Sequence, residues 1–73
     1  MSKKLPALKP KEVIRALERA GFLFARQKGS HQIYIKNTFG VTVAYHNKDV
    51  KPKTLQHIIK QSGLTLEQFI EFL

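Results

Sequence analysis

The stretch from residue 22 to residue 43 decides the fold, and it reads FLFARQKGSHQIYIKNTFGVTV. From Phe22 to Lys28 the pattern has the two-residue period of a strand, and the same period returns from His31 to Lys36. Gly29 and Ser30, which stand between these runs, are residues that favour turns. The two segments are therefore predicted to be antiparallel strands joined in a hairpin.

A third strand is predicted directly after the hairpin. Residues 37–40 have the composition of a second turn, and residues 41–43 (VTV) are all β-branched. On the first strand the alternation places Phe22 and Phe24 on the same side. The whole stretch is thus predicted to form a three-stranded antiparallel meander.

Helical periodicity flanks the predicted sheet on both sides. Pro10 suits the first position of a helix, and Gly21 suits a left-handed cap at its end. The apolar residues between them recur at the spacing of one helix face: Val13, Ile14, Leu17 and Ala20. A second helix is predicted from Pro52 to Gly63, and a third, short helix follows the capping box of Thr65 and Gln68.

The order of helix, three-stranded antiparallel sheet, helix and short C-terminal helix places the chain in the α+β class. This order resembles the double-stranded RNA-binding domain. A chain of 73 residues has room for one modest hydrophobic core, so we expect a single domain over residues 1–73. A deep internal cavity for a substrate is not expected at this size.

The net charge indicates the class of partner. Thirteen lysines and arginines against five acidic residues give a formal charge of +8, which favours polyanions and above all nucleic acid. The absence of cysteine excludes disulfides and thiolate chemistry. No apolar run approaches the roughly 20 residues of a membrane span, so we expect a cytoplasmic protein that does not engage a membrane.

Several segments resemble the HicA family of toxins in their order and spacing. They are VIRALERAGF at residues 13–22, GSH at residues 29–31, TL at residues 54–55 and IIKQSGL at residues 58–64. The similarity extends over nearly everything from Leu5 to Leu73. The resemblance implies a ribonuclease that acts on mRNA and is held inactive by a HicB-type antitoxin. It also implies that the catalytic histidine of the family corresponds to His31.

The chemistry of an imidazole suits that role for His31. The residue follows Gly29 and Ser30, which are small and leave the side chain open to a polymer. Histidine changes its charge near neutral pH, so it can take the proton from an RNA 2′-OH and drive attack on the adjacent phosphate. Such a reaction needs no metal or other cofactor, and the three histidines have no metal-ligand spacing. The alternative is a turn histidine that only hydrogen-bonds to backbone.

Five further residues are candidates for contact with RNA: Lys28, Ser30, Tyr45, His46 and Lys48. Lys28 can neutralise charge on a phosphorane, and Tyr45 can stack on a base. Each candidate also has an ordinary structural explanation, as a solvated lysine, a turn-forming serine, a packed aromatic ring or a loop histidine.

Two functions of other classes stay open at this point. A non-catalytic RNA-binding module of the same fold would use the charge without cleavage. An interaction protein would use its basic face mainly to meet an acidic antitoxin. Exchange of His31 for alanine separates the first of these from a nuclease, because binding alone tolerates alanine there.

Overall fold

The computed structural model describes residues 5–73, within which three helices and three strands follow one another. The elements are α1 (Pro10–Arg19), β1 (Leu23–Lys28), β2 (His31–Lys36), β3 (Phe39–Ala44), α2 (Pro52–Ser62) and α3 (Leu66–Glu71). The strands form one antiparallel sheet in the order β1-β2-β3. The predicted α+β architecture with a three-stranded meander is confirmed.

The helices begin and end where local chemistry predicts. Pro10 and Pro52 are the first residues of α1 and α2, where a missing backbone N–H costs nothing. Gly63 ends α2 with a φ of 74°, in the left-handed region. At the start of α3 the Gln68 N–H donates to the Thr65 hydroxyl at 3.1 Å, and the Thr65 N–H donates to the Gln68 side chain at 2.9 Å. This reciprocal pair is the predicted capping box.

The second hairpin turn is shorter than predicted. Strand β3 begins at Phe39, two residues earlier than expected, because Lys36 pairs with Phe39 and leaves only Asn37 and Thr38 in the turn. Asn37 has a φ of 54°, and a two-residue turn requires a positive φ of the kind asparagine tolerates. The strand also continues to Ala44, beyond its predicted end.

The first strand begins at Leu23, one residue later than predicted, so Phe22 is not part of it. Phe22 precedes β1 and is buried in the core, whereas Phe24 lies on β1 and is about half exposed. The Phe22 N–H donates to the Leu17 carbonyl at 2.9 Å as the chain leaves α1, so this residue belongs to the helix end. Phe24 instead meets the Tyr34 ring edge to face, with ring centroids 5.7 Å apart.

The hydrophobic core lies between the helices and one face of the sheet. Both α1 and α2 pack against β3, and α3 packs against α1. The largest fully buried side chains are Phe22, Phe69, Leu17, Leu55, Val13, Val41, Val43 and Pro10. Every residue of β1 is exposed, so the helices cover one side of the sheet and leave β1 as an uncovered edge.

Exchange of Gly63 for alanine is expected to destabilise the fold more than the same exchange at Gly29. Both glycines have a positive φ, 74° and 60°, so both variants carry backbone strain. A Cβ at Gly63 would also lie 2.6 Å from the ring of Phe39, whereas a Cβ at Gly29 has no atom within 4 Å. Urea unfolding should show a loss of about 2–3 kcal/mol for Gly63→Ala and about 1 kcal/mol for Gly29→Ala. Equal losses would contradict the packing of Phe39 on the end of α2.

Candidate functional site

The burial of Tyr34 determines which face of the sheet carries His31. Tyr34 and its cross-strand partner Val41 are buried beneath the helices. Because successive strand residues point to opposite faces, His31 and Ile33 lie on the face turned away from α1 and α2. We call this side of the sheet the outer face. Its residues, taken by cross-strand pairing, are Leu23, Arg26, Lys28, His31, Ile33, Ile35, Gly40, Thr42 and Ala44.

His31 lies at one end of the outer face. It is the first residue of β2, it is exposed, and it pairs with Lys28 across the turn of Gly29 and Ser30. Directly opposed residues of antiparallel strands have Cβ atoms about 4.5–5.5 Å apart on the same face. The Lys28 and His31 side chains are therefore neighbours. On the other side His31 pairs with Ala44, whose methyl group leaves the imidazole open.

A chain of hydrogen bonds braces the turn that precedes His31. The Tyr34 hydroxyl donates to the Gln32 side-chain oxygen at 2.8 Å, and the Gln32 amide donates to the Gln27 side-chain oxygen at 3.4 Å. The Gln27 amide then donates to the Gly29 carbonyl at 2.8 Å. These contacts connect the buried phenol to the turn. Sequence analysis missed both glutamines, although their positions beside a predicted turn were a usable signal.

Tyr45 lies next to the same turn. Its backbone N–H donates to the Ser30 carbonyl at 2.7 Å, which extends the pairing of β2 and β3 by one bond beyond Ala44. The Tyr45 side chain is about half exposed. Four predicted residues are thus brought together at one end of the sheet: Lys28, Ser30, His31 and Tyr45.

His46 and Lys48 belong to a second, adjoining group. They line a cavity of about 380 Å³ between the end of β3 and the start of α2, together with Lys51 and Thr54. The His46 Nδ1 accepts a hydrogen bond from the Lys48 N–H at 3.2 Å, so this imidazole also shapes its own loop. Ala44 lines the cavity and pairs with His31, which makes the two groups neighbours.

Residues 10–64 match the family model for the HicA toxin of bacterial toxin–antitoxin systems. This chain belongs to the HicA toxin family. The matched part contains α1, the whole sheet with His31, and α2, and it leaves α3 outside. Membership assigns the chain to the toxins of toxin–antitoxin systems and thereby implies an antitoxin partner. No curated protein matches the chain significantly.

The loop after β3 is held against the N-terminal segment of this HicA family member. The Lys9 ammonium donates to the Asn47 carbonyl at 2.9 Å and lies 3.1 Å from the Asp49 carboxylate. The Val50 N–H donates to the Leu8 carbonyl at 2.7 Å. The loop is exposed as its polar composition predicts, except that Val50 is buried. The role of Lys9 could not be seen in the sequence, because its partners lie about forty residues away.

Within residues 5–73, no helix of this HicA domain is both long and apolar enough to cross a lipid bilayer. Over the same residues, no three histidine, aspartate or glutamate side chains are grouped so that they could hold a metal ion. His57, the third histidine, is exposed on α2.

The Tyr34 hydroxyl has an altered proton affinity. Burial raises its pKa above the ordinary value of 10.0, and the nearby Glu18 carboxylate and Tyr45 add to the rise. A folded-state pKa above the unfolded one means that the folded protein keeps a proton which the unfolded chain loses first. The contribution of Tyr34 to stability is therefore fully present below about pH 10 and is lost as the pH rises through the folded-state pKa.

Tyr34→Phe is expected to lower the free energy of unfolding by about 0.5–1.5 kcal/mol at neutral pH, because the hydrogen bond to Gln32 is lost. Above about pH 10 the gap between variant and wild type should narrow, since phenylalanine has no proton to lose. Urea unfolding across this pH range measures both effects. Tyr45→Phe, which changes an exposed ring, serves as the control at neutral pH. A gap that stays constant above pH 10 would contradict the assigned pKa direction.

Proposed function

We propose that this chain is an endoribonuclease toxin that cleaves mRNA with His31 as its single catalytic histidine, and that a HicB-type antitoxin neutralises it. The observation that carries the proposal is the place of His31. It is an exposed side chain at the start of β2, paired with the cationic Lys28, inside the part of the chain that matches the HicA family. A cytoplasmic location follows from the substrate.

In the proposed reaction RNA supplies its own nucleophile. The imidazole of His31 takes the proton from a 2′-OH, and the 2′-oxygen forms a bond to the adjacent phosphorus. The bond from phosphorus to the 5′-oxygen of the next nucleotide breaks, and water at the open site protonates that oxygen. Lys28, which pairs directly with His31 across the hairpin, supplies an ammonium group that stabilises the negative charge developing on the phosphorane. General base catalysis of this kind contributes roughly 10² to 10⁴ in rate.

RNA binding is assigned to the residues near His31 at the end of the sheet and to the residues of the adjoining cavity at the start of α2. The exposed ring of Tyr45 offers a stacking surface for a base next to the scissile phosphate. Ser30 orients the phosphate from the turn. His46 and Lys48 in the cavity at the start of α2 contact a neighbouring phosphate. The charge of +8 supplies the long-range attraction that brings the polyanion to this end of the sheet.

His31→Ala is expected to abolish cleavage while leaving the fold and RNA affinity nearly unchanged, because the side chain is exposed and its neighbours keep their charges. The loss should reach at least about 10²-fold in rate, the scale of general base catalysis. His57→Ala, which removes an exposed imidazole on α2, is the matched control and should cleave at the wild-type rate. Cleavage of labelled RNA and circular dichroism together make the measurement. Wild-type cleavage by His31→Ala would leave a non-catalytic RNA-binding role for this residue.

The metal-free mechanism is expected to survive chelation and to require the 2′-OH. Over the described residues no group of metal-ligating side chains accompanies His31, so excess chelator should leave the rate unchanged. An oligonucleotide with one 2′-deoxyribose at the scissile position should bind with normal affinity and resist cleavage. Activity lost in chelator and restored by a divalent ion, or cleavage of the deoxy substrate, would contradict the mechanism.

A further inference from the structure

The cavity between the end of β3 and the start of α2 has an apolar inner part and a polar rim. Its volume of about 380 Å³ falls within the roughly 300–1,000 Å³ that is usual for small-molecule sites. The aliphatic side chains that line it are buried: Val43, Val50 and Ile58. The polar side chains that line it are all exposed: His46, Lys48, Asp49, Lys51 and Thr54. Such a lining suits a ligand with a flat apolar body and a charged end.

The free edge of β3 adds backbone groups at this cavity. The Tyr45 N–H donates to the Ser30 carbonyl, and the bonds of an antiparallel ladder fall on alternate residues. Tyr45 and Val43 therefore bond to β2, whereas Ala44 between them turns its N–H and C=O toward the free edge. No other described strand pairs with that edge. Ala44 lines the cavity, and its donor and acceptor stand side by side as the edge of a nucleobase requires.

The charges of the rim favour an anion. Lys48 and Lys51 contribute two ammonium groups, whereas Asp49 contributes one carboxylate. The Lys9 ammonium lies 3.1 Å from that carboxylate and offsets its charge. The His46 Nδ1 accepts a hydrogen bond from the Lys48 N–H, so a neutral imidazole carries its proton on Nε2 and donates from there.

The cavity adjoins the proposed catalytic residue. Ala44 lines the cavity and pairs directly with His31 across the sheet. Pairs that share no hydrogen bond, as this one does not, have Cα atoms about 4.5 Å apart. A strand of RNA whose scissile phosphate lies at His31 therefore passes the cavity with a neighbouring nucleotide.

Other occupants match only part of the lining. An apolar protein side chain would cover the aliphatic residues but would leave Lys48 and Lys51 without a counter-charge. Inorganic phosphate would meet the lysines but would leave Val43, Val50 and Ile58 in contact with water. A nucleotide has an apolar base and an anionic phosphate, so it matches both parts.

We infer that this cavity binds one nucleotide of the RNA, next to the scissile phosphate, and that it thereby selects the phosphodiester that is cut. The base lies against the aliphatic lining, and its phosphate contacts Lys48 and Lys51. This assignment rests on the proposed function in so far as cleavage follows binding. Binding of a nucleotide, in contrast, is a property of the cavity alone and is measured without cleavage.

Asp49 gives the cavity a preference among bases. Its carboxylate lies at the rim, where the Lys9 ammonium holds it, and a carboxylate only accepts hydrogen bonds. Adenine, cytosine and guanine each present an exocyclic amino group that donates to it. Uracil has no amino group, and two carbonyl oxygens that a carboxylate repels flank its one N–H. Uridine is therefore the disfavoured nucleotide at this position.

The test titrates the isotope-labelled full chain by NMR with the four nucleoside 5′-monophosphates and with inorganic phosphate. Adenosine 5′-monophosphate should shift the amide signals of the lining residues, with saturation. Inorganic phosphate should bind at least about tenfold more weakly, because it covers none of the aliphatic lining. Uridine 5′-monophosphate should bind most weakly of the four nucleotides.

Two variants test the cavity itself. Thr54→Leu puts a larger aliphatic side chain at the rim and should weaken binding of adenosine 5′-monophosphate about tenfold. Gln61→Leu, an exposed exchange on the same helix outside the cavity, should leave it unchanged. Lys51→Gln removes one ammonium and should weaken binding by about the same factor. Its matched control is Lys11→Gln, which removes an exposed lysine on α1.

Equal affinities for adenosine 5′-monophosphate and inorganic phosphate would overturn the nucleotide site, as would cavity variants that bind like their controls. Equal affinities for the four nucleotides would overturn the selection by Asp49. Among the products of a randomised RNA, uridine should be depleted at one position beside the cut, and Thr54→Leu should remove that depletion. Failure of the proposed nuclease is seen separately, as a chain that leaves RNA intact while the cavity still binds adenosine 5′-monophosphate.

Discussion

The orientation of β2 depends on the burial of Tyr34. Its ring packs beneath the helices and against Phe24, and its hydroxyl is held by Gln32. Farther along the strand the Lys36 ammonium donates to the Ala20 carbonyl at 2.6 Å, on the same side of the sheet. Because the side-chain period of a strand is two, these contacts together determine where every residue of β2 points. A slip of one residue would bury His31 and expose Tyr34.

Function follows from that constraint because a domain of this size has little interior to spare. The core is filled by aliphatic and aromatic side chains from all three helices and from β2 and β3, and the described cavities lie at its surface. The proposed catalytic residue, His31, therefore lies on the face that the helices leave open, and His46 and Lys48 line a surface cavity beside it. A polymer reaches such a flat, cationic surface more easily than a deep pocket. The same openness means that a protein partner can block the site by covering it.

Much of the fold could be predicted from the sequence. Prolines at helix starts, the Thr65–Gln68 capping box and the Gly29–Ser30 turn act through neighbouring residues, and each appears where it was expected. The extent of β3 was missed because the conformation of Asn37 shortens the turn by two residues. The position of Phe22 was missed because its partner is the end of α1, not the strand that follows it.

The candidate site was only partly predictable, because the sequence shows contacts between neighbouring residues but not contacts between distant ones. His31 and Lys28 are close in the sequence and form one hairpin end, so their proximity follows from the turn. Lys9 anchors the loop of His46 through a contact between segments that are distant in the sequence. The chain of hydrogen bonds from Tyr34 to Gly29 depends on which face of the sheet each side chain takes. The sequence also did not predict that Leu23 and Ile35 are paired and exposed, because aliphatic residues in strands are more often buried. Only the register of the strands shows this pairing.

In the proposed reaction the imidazole of His31 activates the 2′-OH of RNA as the nucleophile, and the ends left by cleavage test this most directly. Mass spectrometry of a defined oligonucleotide after limited digestion should find 2′,3′-cyclic phosphate on one product and a 5′-hydroxyl on the other. Products that carry a 5′-phosphate and a 3′-hydroxyl would show that water attacked the phosphorus, and they would contradict the role given to His31.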